Sequence, residues 1–84
     1  MRKPRPPGPV TVGRILHYWT LEGERLVPNP AIVLSVGLES RLWVYVFFAS
    51  GAGGRDALWA PASPADEEGV QTPREGHWSW PARV

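Results

Sequence analysis

The sequence predicts an all-β fold, a small SH3-like barrel of four to six short antiparallel strands. Ten prolines and nine glycines interrupt the 84 residues often enough to leave room only for short elements. The segment RLWVYVFFA at Arg41–Ala49 is rich in aromatic and β-branched residues, which favour strands. No window of twelve residues has helical periodicity, and closure into a barrel removes the exposed edges of such apolar strands.

The length indicates one small domain, which we place at residues 10–84. Residues 1–9, MRKPRPPGP, form a proline-rich basic arm that favours extended polyproline II structure. We interpret the arm as a frayed terminus. The alternatives are an electrostatic arm on an anionic partner and a PxxP ligand through Pro4 and Pro7.

The first half of the domain predicts two strands around a long loop. Val10–Thr20 alternates apolar residues, and Gly13 beside Arg14 indicates a bend or bulge. Leu21–Pro30 is expected to be a loop, long enough to carry function. Ala31–Val36 is the second strand, ended by glycine.

The second half predicts a central strand and two shorter ones. A polar turn at residues 37–40 leads into Arg41–Ala49, which we expect to be covered on both faces because both parities are apolar. A glycine-rich turn at residues 50–54 precedes Arg55–Ala60, a strand that Pro61 ends.

The last part of the chain predicts a polar loop and a return to the sheet. The loop covers residues 62–75, and Ser63 followed by proline allows a single helical turn there with Ser63 as N-cap. His77–Trp80 is expected to form a short fifth strand or a docked aromatic segment.

Residue types argue against an enzyme and against a metal site. The chain has no cysteine, so disulfides, thiolate metal ligands and a cysteine nucleophile are excluded. No serine lies in a G-x-S-x-G turn, and only His17 and His77 could act as a base. We therefore expect no catalytic residue, no cofactor and no bound metal.

The charge and hydropathy of the chain limit the classes of partner that we expect it to bind. The net charge is +1, and residues 6–84 hold six basic against eight acidic residues, so long nucleic acid is not expected. The longest apolar run, Leu42–Ala49, is far shorter than the roughly 18 residues of a membrane-spanning helix. Prolines rather than an apolar stretch follow the basic N-terminus, so we expect no secretory signal and a cytoplasmic location.

The aromatic residues are more numerous than one small core requires. Neighbours such as Tyr18 and Trp19 on a strand point to opposite faces, so some aromatic rings must form a second surface. That surface could stack a nucleotide, hold an extended peptide or lie between subunits. We predict a ligand pocket made of four aromatic side chains and one of two arginines: His17, Trp19, Trp78 and Trp80, with Arg14 or Arg55.

Three short segments resemble a group of small uncharacterised proteins of actinobacterial phages and prophages. The segments are V-G-R-I-L-H-Y-W, P-A-I-V-L-S-V and G-H-W-S-W-P-A-R-V, about a third of the chain. Those proteins tend to carry G-x-I-V-H-Y, A-A-I-V-T-E-V and G-T-W-H-W-P-E in the same order. The chain departs from this pattern at His77, Ser79 and Leu34-Ser35. The resemblance implies a viral or bacterial origin and a small barrel, and it transfers no catalytic residues.

These observations lead to a non-enzymatic, phage-encoded accessory protein that binds a ligand in an aromatic and arginine pocket. One concrete form is an anti-defence protein that sequesters a nucleotide signal in the host cell. The first alternative is a structural subunit of the virion, a capsid-decorating or tail-associated homo-oligomer with aromatic residues buried between copies. The second is an adaptor that binds a peptide of a host protein and inhibits it.

Overall fold

The computed structural model describes residues 10–48 and 54–81. It contains five strands: β1 (Ile15–Glu22), β2 (Arg25–Val36), β3 (Leu42–Phe47), β4 (Arg55–Ala60) and β5 (Trp78–Ser79). They form one antiparallel sheet in the order β4-β3-β2-β1-β5. Within the described residues no helix is present, and thus none that is long and apolar enough to cross a membrane.

The two ends of the sheet meet, which closes it into a small barrel. Directly after β4, Ala62 forms a parallel bridge with Trp78 of β5. The Ser63 amide donates to the Trp78 carbonyl at 2.7 Å, and the Trp78 amide donates to the Pro61 carbonyl at 2.9 Å. The predicted all-β, SH3-like barrel is confirmed.

The core lies on the inner face of the curved sheet. Alternate residues of β3, Leu42, Val44 and Val46, are fully buried, whereas Trp43, Tyr45 and Phe47 on the outer face are half-buried. Leu16, Ala31, Val33, Ala60 and Trp78 complete the core cluster. The prediction that β3 is covered on both faces is therefore fulfilled on the inner face and only in part on the outer one.

β1 begins later than predicted. The amide of Arg14 donates to the Thr11 carbonyl, and Gly13 takes a positive φ of 92°, so residues 11–14 form a turn. Val33 of β2 pairs with this turn through Gly13 N–H and the Arg14 carbonyl, at 2.8 and 2.9 Å. The bend predicted at Gly13 and Arg14 is present, and it delays the strand to Ile15.

The loop predicted at Leu21–Pro30 is wrong, because β2 already starts at Arg25. Only Gly23 and Glu24 form the turn, and Gly23 adopts the positive φ of 65° that glycine supplies in tight hairpins. Two prolines in a strand suggested a loop. The structure accommodates them on a stretch of β2 that pairs with β1 but precedes the first residue paired with β3, Ala31.

The register explains why a donor is not needed at Pro28. Its partner Trp19 uses its backbone N–H and carbonyl on the other side, toward His77 and Gly76, at 3.1 and 2.8 Å. Pro28 therefore faces a position of β1 that neither gives nor accepts a hydrogen bond across the pair. Between the prolines, the buried Asn29 donates its side-chain amide to the Tyr18 carbonyl at 2.9 Å and to Thr20 Oγ1 at 2.8 Å.

The helical turn predicted after Ser63 does not form. Ser63 is buried against β5, and the loop is organised instead by Asp66, whose carboxylate accepts from the amides of Glu68 and Val70 at 2.9 Å. The Gln71 carboxamide oxygen accepts from the Trp80 amide at 2.8 Å. Short-range hydrogen bonds of this kind compete with a helical turn and stabilise an irregular loop.

Strand β4 has the predicted bounds, and β5 is shorter than predicted, at two residues. The N-terminal arm at residues 1–9 lies outside the described residues. The glycine-rich turn predicted at residues 50–54 also lies outside them, except for Gly54, whose carbonyl accepts from the Phe48 amide at 2.8 Å.

Candidate functional site

His17 and Trp19 of the predicted pocket lie together on the outer face of β1. Their rings meet edge to face with centroids 5.9 Å apart, and both side chains are half-buried. The indole N–H of Trp19 donates to Ser79 Oγ at 2.7 Å. Ser79 faces His17 across the β1–β5 pair, which places the serine hydroxyl on the same outer face.

Arg14 and Trp80 form a second pair, in which Arg14 is exposed and Trp80 is partly buried. The Arg14 guanidinium carbon lies 4.9 Å from the centroid of the Trp80 ring, a cation–π distance. The Trp80 ring also meets the Trp78 ring edge to face, with centroids 6.0 Å apart, and packs against the core cluster. The charge of Arg14 is thus positioned over a ring that already contributes to packing.

Trp78 is a core residue beside Trp80, and Arg55 lies apart from both pairs. Trp78 is 4% exposed and belongs to the core, so packing occupies its ring and we remove it from the ligand site. Arg55 lies on β4 opposite Phe47 of β3, with β2 and β3 between its strand and β1. Of the predicted residues, His17 lies beside Trp19, and Arg14, Trp80 and Trp78 lie side by side, whereas Arg55 is separated from β1 by two strands.

A cleft of about 390 Å³ lies at another place, beside the β2–β3 turn. Its lining consists of Gly37, Leu38, Glu39, Arg41 and Trp59. The volume falls within the range of small-molecule sites, about 300–1,000 Å³. Trp59 is 49% exposed although it is a large aromatic residue in a strand, and Leu38 is 87% exposed at the edge of the cleft. About half of the Trp59 side chain is therefore accessible at this cleft.

The register of the sheet positions the Trp59 ring on the outer face. Trp59 pairs with Trp43 across β3 and β4, and the two ring centroids lie 5.3 Å apart at an angle of 53°. The ring also lies directly against Gly37, where a Cβ atom would approach Trp59 Cζ3 to 2.8 Å. Glycine is required at position 37 because a side chain there would displace the indole.

The turn that carries the charged residues of the cleft is tightly hydrogen-bonded. The Gly37 amide donates to the Arg41 carbonyl at 2.8 Å, and the Arg41 amide donates to the Leu38 carbonyl at 3.0 Å. Glu39 and Ser40 both adopt left-handed backbone conformations, with φ of 55° and 62°. Such angles are unfavourable for residues with a Cβ and are concentrated at functional sites.

The core holds this turn in place through Trp78. The buried indole N–H of Trp78 donates to the Ser40 carbonyl at 2.8 Å. This bond joins the centre of the barrel to the turn and opposes relaxation of the two left-handed residues. Trp78 therefore stabilises the turn that borders the cleft, although it does not line the cleft.

The charges of the cleft are available to a ligand. Glu39 and Arg41 are exposed, and neither forms an ion pair within residues 10–48 and 54–81. A guanidinium binds phosphate or carboxylate through two parallel hydrogen bonds, and a carboxylate accepts from ligand donors. Within the described residues, no group of three His, Cys, Asp or Glu side chains could hold a metal ion.

Tyr18, on β1, has a raised pKa. Burial of its side chain is the main cause, and the negative charge of Glu75 raises the pKa further. Tyr18 is opposite Trp78 in the β1–β5 pair, and its ring meets Phe48 edge to face at 6.4 Å. This phenol contributes to the packing of the barrel and is not part of the cleft.

The sequence places Arg41 and Trp59 in two separate predicted strands and does not indicate that they meet in one site. The missing signal was the pairing of β3 with β4, which puts Trp43 and Trp59 on one face. Gly37 and the exposed Leu38 next to it were recognised only as parts of a turn. Comparison of the chain with protein-family models, with curated proteins and with solved structures finds no match.

Proposed function

We propose that the protein is a non-enzymatic binding protein that holds a nucleotide in the Trp59 cleft. The observation that carries the proposal is the half-exposed indole of Trp59 next to Arg41 in one cleft, with no ion pair to Arg41 from residues 10–48 and 54–81. The aromatic and arginine character expected from the sequence is kept, while the residues that supply it are different.

Each side chain has a role in this proposal. The Trp59 face stacks on a planar base, an interaction that contributes about 1–3 kcal/mol per base. The Arg41 guanidinium binds the phosphate, and the absence of a side chain at Gly37 allows the indole to pack on the backbone of the turn. The proposal assigns no bond-breaking step to any residue.

The biological setting remains the one expected from the sequence. A small phage-encoded accessory protein that captures a nucleotide would lower the free concentration of a host defence signal. Binding alone is sufficient for this role, provided that the affinity exceeds that of the host receptor and that enough copies are made.

Titration calorimetry with a panel of mononucleotides and cyclic dinucleotides tests the proposal. We expect saturable binding that weakens at least tenfold in Arg41→Gln and in Trp59→Leu. Arg25→Gln is the matched control, because Arg25 lies at the opposite end of the 12-residue strand that leads to the cleft. Absence of binding by every nucleotide, or equal losses in Arg25→Gln and Arg41→Gln, would contradict the proposal.

A structural subunit is the second candidate, favoured by the apolar outer face of the β1–β2 hairpin. Leu21 and Leu26 face each other across the hairpin and are 48% and 38% exposed. On the same face lie the half-buried Trp19 and, near the start of β1, the exposed Ile15. An accessible apolar face of this kind favours contact with another protein, including a second copy of the chain.

Native mass spectrometry distinguishes the two candidates. A structural subunit should form a discrete multimer that dissociates in Leu21→Glu and persists in Leu38→Glu, which introduces the same charge near the cleft. A nucleotide-binding protein should carry an added mass that is lost in Trp59→Leu. A monomer without added mass would contradict the structural candidate.

A further inference from the structure

The cleft contains a carboxylate that a simple phosphate site would not need. Glu39 lines the same cleft as Arg41, two residues away, and it forms no ion pair in the described part of the chain. A negative charge beside the guanidinium weakens the binding of a phosphate alone. The lining therefore fits a ligand that brings hydrogen-bond donors to Glu39 as well as an anion to Arg41.

The backbone holds Glu39 in this position at an energetic cost. Its φ of 55° is one that glycine or asparagine would adopt more easily, and Ser40 beside it is fixed by the hydrogen bond from Trp78. The carboxylate is thus carried by a rigid turn at the border of the cleft. A charged hydrogen-bond acceptor on a hydrogen-bonded turn, next to a half-exposed indole, is suited to reading one edge of a planar ligand.

Among the bases, guanine presents the matching edge. Its N1–H and 2-amino groups are two adjacent donors, which a carboxylate accepts through its two oxygens. Adenine has an unprotonated N1 at the corresponding position, and the lone pair of that nitrogen would face the carboxylate. A site built to accept hydrogen bonds from a ligand rejects analogues that lack the donors, because its polar group is then left unpaired.

We infer that the Trp59 cleft selects guanine nucleotides, with Glu39 reading the N1–H and 2-amino edge while Trp59 stacks on the ring and Arg41 binds the phosphate. The inference rests on the proposed function, since it names the ligand class of the same cleft. Glu39 is the specificity-determining residue, whereas Trp59 and Arg41 supply affinity for any nucleotide.

Calorimetry with 5′-GMP, 5′-IMP and 5′-AMP tests the inference on the full chain. We expect GMP to bind at least tenfold more tightly than AMP, and IMP, which lacks the 2-amino group, to lie between them. In Glu39→Gln the preference for GMP over AMP should fall to about threefold or less, with the affinity for AMP unchanged or higher. Glu24→Gln, in the turn at the distant end of the hairpin, should keep the full preference.

The outcomes separate the inference from the proposed function. If GMP and AMP bind wild-type protein equally well, the cleft is a nucleotide site without base selectivity and the inference fails alone. If Glu39→Gln keeps the preference for GMP, Glu39 does not read the base and the inference also fails. If none of the three nucleotides binds and the wider panel is also negative, the proposed function fails with it.

Discussion

Trp78 and Trp59 show how one residue type serves two purposes in a barrel of this size. Trp78 is 4% exposed, lies in the core and donates its indole N–H to the Ser40 carbonyl. Trp59 is 49% exposed, contacts Gly37 and Trp43, and lines the cleft. The buried Trp78 contributes to the stability of the barrel, whereas the exposed part of Trp59 is accessible to a ligand.

The largest expected effect follows from removing the buried ring. Trp78→Ala should lower the free energy of unfolding by about 3–5 kcal/mol, because it opens a cavity and leaves the Ser40 carbonyl without its donor. Trp59→Ala should cost only about 1 kcal/mol, mainly the contact with Trp43. Urea denaturation followed by far-UV circular dichroism measures both.

Val46→Ala is a second core variant that can be compared with Trp59→Ala if Trp78→Ala does not fold. Val46 is fully buried on the inner face, and its truncation should cost about 1–3 kcal/mol. If Trp59→Ala destabilises the domain as much as Val46→Ala or more, the ring contributes to the fold and the distinction between the two tryptophans is lost.

The next effect tests the contact between Gly37 and Trp59. Gly37→Ala should destabilise the protein by about 1–3 kcal/mol, because the new Cβ would lie 2.8 Å from Trp59 Cζ3 and 3.0 Å from the Arg41 carbonyl oxygen. Gly54→Ala is the control, since nothing lies within 4 Å of a Cβ there. Thermal unfolding measures stability, and chemical shifts of the Trp59 indole N–H report displacement of the ring. Equal melting temperatures for the two variants would show that the indole moves aside freely.

A smaller effect of opposite sign is expected at Glu39. Glu39→Gly should stabilise the protein by about 0.5 kcal/mol, because relief of the left-handed backbone outweighs the extra entropy of glycine in the unfolded chain. The same change should weaken guanine nucleotide binding. A chemical denaturation curve together with calorimetry checks both, and a loss of stability would indicate that the Glu39 side chain itself stabilises the turn.

The smallest expected effect is a dependence of stability on pH that arises from Tyr18. Burial, and secondarily Glu75, raises the pKa of Tyr18 above its ordinary value of 10.0. The unfolded chain therefore loses this proton at a lower pH than the folded protein does. Stability is unaffected by this group below about pH 10 and decreases as the pH rises above that value.

Tyr18→Phe isolates this contribution, because every other titratable group is common to the two proteins. Melting temperatures between pH 8 and pH 11 should decrease less steeply for Tyr18→Phe than for wild-type protein. Parallel pH profiles would mean that the phenol is accessible to water in the folded state. The Trp59 cleft is not involved, so nucleotide binding at pH 8 should be the same in both proteins.

Particular residues show which parts of the fold and the site were predictable. The alternation in Arg41–Ala49 and the proline after Ala60 led to β3 and β4 with nearly correct bounds. The prolines at 28 and 30 led to a loop where β2 runs, because local propensity does not record that the opposite residue of β1 directs its hydrogen bonds elsewhere. The predicted pocket joined aromatic residues from the first strand and from the last one. Pairing separated them instead into an outer pair, a cation–π pair and a core residue.

The sequence by itself determined the fold class, since frequent turn residues and two-residue alternation are local signals that permit short strands and exclude long helices. It also determined that aromatic rings exceed what one core can bury. Only the tertiary structure decided which ring is buried and which is accessible, because register brings Trp43 beside Trp59 and places Gly37 against the indole. Likewise, only tertiary packing joined Trp78 to Ser40, a contact across 38 residues that no local pattern encodes.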